Sequence, residues 1–282
     1  MFGPRKSLAF LVLALAVLFG GVTAPALATC LPVASAPTLS PHPYFLHAGF
    51  SRAAIQGPVL LPGRVALSYL GHSSFLIRTP QNVTAITDYN GVEVAGFPPD
   101  IVTMNHAHDS HYTDFVEPGV RHILRGWMTL KGYPRHNVTI RDMRVRNVAT
   151  NIRTDFDASG TEIAGNSIFI FETNGLCLAH LGHLHHALTP SHLGRIGQVD
   201  VVMAPVDGGM TLNHDEMAKA IKALKPKMVV PMHVFGLDSL AYFTTLMRDQ
   251  GYVPLRVTTD NFQLSRNVLR RKTVLIFPEN LF

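Results

Sequence analysis

The stretch MNHAHDSHY, Met104 to Tyr112, places His106, His108 and His111 within six residues, directly after the apolar run DIVTM. In an extended backbone, side chains two residues apart point to the same side, so His106 and His108 can share one metal ion. His111 follows after a turn and approaches from another direction, and converging imidazoles are typical zinc ligands. The segment therefore predicts one arm of a metal site.

Three further apolar runs end in residues of the same kinds. LCLAHLGH ends in His180 and His183, VDVVMAPVDGG ends in Asp207 and two glycines, and KMVVPMH ends in His233. Because ligands of α/β sheets bind beyond the carboxyl ends of strands, we expect these residues to meet at one place. The predicted metal ligands are His106, His108, His111, His183 and His233.

Two aspartates are predicted to take part in the reaction at this site. Asp207 lies at a strand end before flexible glycines and can act as a ligand, orient a water molecule or accept its proton, with a turn-forming aspartate as the alternative. Asp109 lies between the histidines and can do the same, cap the following turn, or accept a hydrogen bond from a ligand histidine.

The rest of the pattern indicates a sheet-rich α/β domain. Beyond Gly63, β-branched runs separated by Gly, Pro and Asn predict strands, mostly in hairpins. One helix is expected to begin at Asn213 and end before Pro226, and a second to lie between Asp238 and Gly251. This order favours two layers of strands with helices outside.

The N-terminal residues predict export to the periplasm or the medium. Residues 1–28 combine Arg5 and Lys6 with an apolar run and small residues, which is typical of a cleavable secretory signal. Residues 29–62 are rich in Pro, Ala and Ser and predict an extended arm, and residues 63–282 form the predicted domain.

The only two cysteines, Cys30 and Cys177, follow the predicted cleavage point. They can pair in an oxidising compartment, but Cys177 lies in the strand-like GLCLAHL, which favours a buried free thiol. An alternative interpretation makes Cys30 the lipid-carrying residue of a lipoprotein signal, and only in that case is a membrane expected as a partner.

The charge of the chain argues against nucleic acid as a partner. The formal net charge is +5 and falls to +3 when the predicted signal is removed with Arg5 and Lys6. This excess is too small for a nucleic-acid-binding surface, and a nuclease is disfavoured for the same reason. We expect a small-molecule substrate.

Taken in order, YLGHSSFLI, the His-x-His-x-x-His loop, LGH…PVDGG and the late PMH resemble the metallo-β-lactamase-fold hydrolase superfamily. The similarity is strongest to its ascorbate-phosphate lactonase-like and phospholipase-D-like branch, and it covers roughly Gly63 to the C-terminus. It implies an αββα sandwich of two mixed sheets, with the metal site at one edge of the facing sheets.

Residue by residue, the resemblance extends to the ligands. His106, His108 and His111 match the histidines of the family's His-x-His-x-Asp-His motif, and His233 matches its last histidine ligand. His72, in GHSS, matches a histidine that the branch often has near its site.

The chain also departs from the family pattern. Ser110 stands at the motif's aspartate, His183 stands where an aspartate normally bridges two metals, and TDFDASG offers no match for the family's middle histidine. Two divalent ions without an anionic bridge repel strongly, so we expect one firm metal site, with Asp207 the best candidate to support a second. His183 is expected to bind the metal or to support a ligand, with its neighbours as alternatives for its role: His180, His185 and His186.

These features predict an exported hydrolase that activates water on a metal and cleaves an ester, lactone, amide or phosphodiester bond. Zinc suits the imidazole ligands best, and nickel, copper or iron are alternatives. A second hypothesis, motivated by the missing carboxylates, is a non-catalytic metal-binding or scaffold protein on the same fold.

Overall fold

The computed structural model describes Cys30, residues 59–154 and residues 157–278 of the chain. The predicted secretory signal and most of the predicted arm lie outside the described residues. None of the helices in these ranges is long and apolar enough to span a bilayer.

The smaller of two sheets has six strands. They are β1 (Val65–Gly71), β2 (Ser74–Arg78), β3 (Thr84–Ile86), β4 (Ile101–Met104), β5 (His122–Arg125) and β13 (Asn261–Leu264). Their order across the sheet is β13-β1-β2-β3-β4-β5. β1 and β2 form the expected hairpin, but β3, β4 and β5 run parallel. The long connections that parallel strands need carry part of the site described below.

The larger sheet has eight strands. They are β6 (Asn137–Ile140), β7 (Met143–Thr154), β8 (Asp157–Thr173), β9 (Leu176–His180), β10 (Val201–Pro205), β11 (Met228–Met232), β12 (Val253–Arg256) and β14 (Thr273–Ile276). Their order is β12-β14-β11-β10-β9-β8-β7-β6. β9, β10 and β11 are parallel neighbours, so their carboxyl ends reach the same edge of the sheet.

The described helices are α1 (Pro190–Ile196), α2 (His214–Leu224) and α3 (Leu237–Asp249), with a 3₁₀ turn at Val268–Arg270. The predicted start of α2 is confirmed, since the side chain of Asn213 accepts a hydrogen bond from Glu216 N at 2.9 Å. The helix α1 was not predicted from the sequence, because its seven residues are too few for a recognisable apolar period.

Two buried hydrophobic clusters lie between the layers of the molecule. One fills the space between the sheets and includes Phe75, Phe169 and Met203. The other lies between the larger sheet and the helices and receives side chains from all three, such as Ile196, Met217 and Phe243. Among the described residues, the outer face of the smaller sheet is covered by loop side chains, including Tyr112 and Trp127. The expected α/β sandwich of two mixed sheets is confirmed.

A disulfide joins Cys30 to Cys177, with 5.8 Å between their Cα atoms. The carbonyl oxygen of Cys30 also accepts a hydrogen bond from Gln198 N at 2.8 Å, so this residue is anchored on the domain. The interpretation of Cys177 as a free thiol is therefore wrong, and the Cys30 sulfur in this bond is not available for a lipid. The partners are 147 residues apart, so no local pattern reveals them.

Candidate metal centre

Residues from both sheets converge at one edge of the sandwich. His183, Asp207 and His233 follow β9, β10 and β11 of the larger sheet. The segment that begins at His106 follows β4, and His72 lies in the turn between β1 and β2 of the smaller sheet. The expected meeting of strand ends is thus present in the structure.

His72, His111 and His233 form the centre of this cluster. One ring nitrogen of each lies within 4.8 Å of those of the other two. The ring centroids of His72 and His233 are 4.4 Å apart, and each is 5.3 Å from that of His111. Within the described residues, the buried Nε2 atoms of His72 and His111 have no hydrogen-bond partner. Converging buried nitrogens of this kind fit a divalent transition metal.

A buried aspartate holds the His111 ring. Asp88 Oδ2 lies 2.5 Å from His111 Nδ1 and accepts a hydrogen bond from Ser73 Oγ at 2.7 Å, and its Oδ1 accepts one from Asn105 N at 3.1 Å. Burial alone would raise the pKa of Asp88, but the charge and hydrogen bond of His111 and the bond from Ser73 hold this pKa well below its usual range. The ionised carboxylate fixes the proton of His111 on Nδ1 and leaves Nε2 free to bind a metal.

A second aspartate holds the His233 ring. Asp207 Oδ2 lies 3.0 Å from His233 Nδ1 and accepts a hydrogen bond from Thr211 Oγ1, while Oδ1 accepts bonds from the amides of Gly209 and Thr211 at 2.9 Å. These hydrogen bonds outweigh burial and lower the pKa of Asp207 below its usual range. Both oxygens are engaged, so this geometry makes Asp207 an orienting group behind His233. A direct role as ligand or base stays a prediction.

His106 lies at the border of the cluster. Its Nδ1 donates a hydrogen bond to the carbonyl oxygen of Gly165 at 2.8 Å, which leaves Nε2 as the nitrogen with a free electron pair. Its ring centroid is 5.4 Å from that of His183 and 6.4 Å from that of His111. Burial lowers the pKa of His106, so the ring is neutral at pH 7.

His108 and Asp109 lie in the turn that ends at His111. The backbone there is not extended, since His111 N donates a hydrogen bond to His108 O at 2.7 Å. His108 is exposed, its Nδ1 lies 2.9 Å from Ser110 Oγ, and its ring centroid is 5.9 Å from that of His111. Asp109 is exposed at the rim. Their roles as ligand and as base stay predictions.

The His183 ring packs against both His111 and His233. Its ring centroid is 4.7 Å from that of His111 and 5.2 Å from that of His233, and its Nδ1 lies 2.7 Å from His185 Nε2. Burial and the neighbouring histidines lower the pKa of His183 far below its usual value, and burial lowers that of His185 to about 4. Both rings are therefore neutral at pH 7.

His180, one alternative for the role of His183, is not available to a metal in this structure. Its Nε2 donates to the carbonyl oxygen of Ser73 at 2.8 Å, and its Nδ1 accepts from Gly182 N at 3.2 Å. The buried ring instead ties the end of β9 to the turn after β1.

Three of the central residues have a left-handed backbone that side chains rarely adopt. The φ angles are +49° at His72, +50° at Asp88 and +54° at His233. Such a conformation costs about 1–3 kcal/mol per residue and persists only where the surrounding structure enforces it. Here it turns each side chain from a strand end into the site.

The sequence patterns do not single out Asp88, do not place His72 among the ligands, and offer His185 only as an alternative for the role of His183. Asp88 follows the apolar run VTAIT, so the rule that selected the other strand ends would have found it. No sequence pattern indicates that His185 supports His183, because this role depends on the contact between the two rings.

Comparison with known proteins agrees with this geometry. The model of the beta-lactamase superfamily domain matches residues 66–233, more than half of the chain. A UPF0173 metal-dependent hydrolase of Methanosarcina barkeri is 25% identical over 195 residues, which are 62% of this chain and 85% of that protein. One of Thermococcus kodakarensis is 26% identical over 191 residues, with 60% and 84% covered.

Solved structures share the fold. A metallo-β-lactamase superfamily protein from Thermotoga maritima superposes with a TM-score of 0.53 at 22% identity, covering 76% of this chain and 98% of that one. A metallo hydrolase from Ignicoccus hospitalis superposes with a TM-score of 0.51 at 17% identity, with 71% and 97% covered. At these identities the likeness concerns the fold alone. The match of the family model, together with the two sheets and the histidine cluster at their edge, shows that this chain belongs to the beta-lactamase superfamily.

Proposed function

We propose that this protein is an exported metal-dependent hydrolase that uses an activated water molecule to cleave an ester, lactone, amide or phosphodiester bond. One observation carries the proposal: His72, His111 and His233 converge on one point, and buried carboxylates orient two of them. The name that the curated relatives bear, metal-dependent hydrolase, supports it.

The donor set favours zinc as the metal. His72, His111 and His233 would hold it, and the other predicted ligands line the same cluster: His106, His108 and His183. A bound zinc ion would supply a Lewis acid and lower the pKa of water from 15.7 towards about 7. Nickel, copper or iron would suit imidazole ligands as well.

The protein's own groups prepare the site for this chemistry. Asp88 and Asp207 hold the protons of His111 and His233 on Nδ1, so that the opposite nitrogens keep their electron pairs. Burial first, and then the nearby histidines, lower the pKa of His72 to about 4, which keeps this ring neutral at pH 7. Asp109, exposed at the rim, is the carboxylate we propose to accept a proton from water.

An exposed aromatic ring beside the cluster supports a small organic substrate. Phe235 is 56% exposed, and its ring centroid is 4.9 Å from that of His233 and 5.8 Å from that of His72. A large apolar side chain next to polar groups is typical of substrate pockets. We infer that it contacts an apolar part of the substrate.

The disulfide between Cys30 and Cys177 supports export, because such bonds persist mainly in oxidising compartments. A thiol titration of denatured protein isolated from the medium or periplasm should find no free thiol without reductant and two after reduction. Two free thiols before reduction would contradict this part of the proposal.

The hydrolase proposal is tested by turnover of four substrate classes: aryl esters, lactones, amides and phosphodiesters. We expect zinc-reconstituted wild type to hydrolyse at least one class, and His111→Ala to lose at least a hundredfold in kcat/KM. His122→Ala, in β5 and away from the cluster, is the matched control and should retain activity. Zinc binding without turnover of any class would instead favour the non-catalytic metal-binding protein.

A further inference from the structure

The tautomer of His185 is fixed by a backbone amide. Arg153 N lies 2.9 Å from His185 Nδ1 and donates to it, because a backbone nitrogen can only donate. Nδ1 of His185 therefore has no proton, and the single proton of this neutral ring is on Nε2.

The proton on His185 in turn fixes the tautomer of His183. His185 Nε2 donates it to His183 Nδ1 across 2.7 Å. Since His183 Nδ1 accepts this bond, the proton of His183 is on Nε2, on the side of the ring away from His185. That side faces the cluster, where the ring centroids of His111 and His233 lie 4.7 and 5.2 Å from that of His183. A protonated ring nitrogen has no free electron pair for a metal.

Most of the hydrogen bonds that hold the segments of His183, His185 and Arg153 in place have a backbone group as one partner. His185 is 7% exposed, and the amide of His183 donates to Asn166 Oδ1 at 2.8 Å. The guanidinium of Arg153 donates to three successive carbonyl oxygens of the loop that carries Asp207, those of residues 209, 210 and 211. The His183 ring cannot turn over without breaking its bond to His185, and the His185 ring cannot turn over without also breaking its bond from Arg153 N.

The partner of Nδ1 distinguishes His183 from its neighbours. His111, His233 and His106 have acceptors there, namely Asp88, Asp207 and the Gly165 carbonyl, so they present an electron pair to the cluster. His183 has a donor there and presents an N–H group. The cluster thus combines ligands for a cation with one donor for an anionic or carbonyl oxygen.

We propose that His183 is a catalytic hydrogen-bond donor to the carbonyl or phosphoryl oxygen of the substrate, that His185 is the positioning residue that sets its tautomer, and that the site holds one metal ion. This inference rests on the proposed hydrolase function. It differs from the expectation that His183 is a ligand.

The tautomer can be measured without any metal. Long-range ¹H–¹⁵N correlation spectra of ¹⁵N-labelled, chelator-treated protein, assigned with His183→Ala, should show the proton of His183 on Nε2. In His185→Glu the carboxylate accepts from His183 Nδ1, so the proton should move to Nδ1. A proton on Nδ1 of His183 in the wild type would overturn the proposal.

Metal and anion binding separate this inference from the proposed function. We expect one zinc per chain in wild type, the same stoichiometry in His183→Ala with a Kd within about threefold, and loss of zinc in His111→Ala. The Kd of inorganic phosphate for the zinc-loaded protein should rise about tenfold or more in His183→Ala.

Zinc loss in His183→Ala, or phosphate binding that is absent from wild type or unchanged in the variant, would overturn the proposal. Failure of wild type to bind zinc, nickel, copper or iron would refute the metal-dependent hydrolase itself, whatever the tautomer of His183.

Discussion

The two halves of the histidine cluster differ in what lies behind each ring. In the carboxylate-backed half, His111 and His233 donate to Asp88 and Asp207. In the carboxylate-free half, defined as His106, His108 and His183, the partners are a carbonyl oxygen, a hydroxyl group and another imidazole. A carboxylate behind an imidazole makes it a stronger ligand and fixes its orientation. The difference indicates that the metal is held mainly by the carboxylate-backed half together with His72.

We expect acidification to cause the largest loss of stability, because it protonates histidine rings that are neutral in the folded protein. The pKa values of seven described histidines are lowered, each mainly by burial, and five of these residues lie in or beside the cluster: His72, His106, His180, His183 and His185. Between pH 6.5 and these lower values the unfolded chain binds more protons than the folded chain, so the free energy of unfolding falls as pH falls. Asp88 and Asp207 stay ionised there, and the stability that their lowered pKa values contribute is lost only below about pH 4.

Urea unfolding of chelator-treated protein at pH 7.5, 6.5 and 5.5 measures this effect. We expect a progressive loss of stability below pH 6.5, with a shallower slope in His185→Phe. A stability that is constant or rises towards pH 5.5 would show that the rings are not neutral in the folded protein.

Asp88→Asn tests the carboxylate-backed half. The substitution removes the buried charge that accepts hydrogen bonds from His111, Ser73 and Asn105, so zinc affinity should fall 10–100-fold. Stability should fall by about 3 kcal/mol. Calorimetric zinc titration and urea unfolding measure the two effects. Asp114→Asn is the matched control, because the Asp114 side chain is 69% exposed and pairs with Arg125 at the surface. Equal zinc affinities in both variants would contradict the assignment of Asp88.

Asp207→Asn should weaken zinc binding by about tenfold, less than the change at Asp88. The amide oxygen of asparagine can still accept the hydrogen bonds from Gly209 N and Thr211 N, so the loop keeps its shape while the charge behind His233 is lost. Zinc titrations of this variant and of Asp88→Asn show which substitution weakens zinc binding more. A complete loss of zinc would show that Asp207 is itself a ligand.

Ser110→Ala should have the smallest effect on zinc affinity. The hydroxyl group lies 2.9 Å from His108 Nδ1, but His108 is exposed and its partner carries no charge. Zinc affinity should change by no more than about threefold, since a neutral hydrogen bond to an exposed group contributes about 0.5 kcal/mol, the low end of the usual range. A loss as large as that of Asp88→Asn would place the metal in the carboxylate-free half.

The position of the site could be predicted from the sequence because it follows from local patterns. Apolar runs that end in His or Asp mark strand ends, and parallel strands bring these ends to one edge, as β9, β10 and β11 do. The same patterns predicted α2 from its capping residue, Asn213.

The roles of individual residues could not be predicted in the same way. Asp88 and His111 are 23 residues apart, and Cys30 and Cys177 are 147 apart, so only the folded chain makes these pairs. The tautomer of His183 depends on the amide of Arg153, a backbone group to which sequence patterns do not refer.

The measurement that tests the central claim most directly is the zinc content per chain of mature protein purified without chelators or a histidine tag, determined by mass spectrometry beside His111→Ala. The geometry of His72, His111 and His233 predicts one zinc ion per chain that is lost in the variant. Protein that holds no zinc even after reconstitution, or a variant that holds as much as the wild type, would contradict the account.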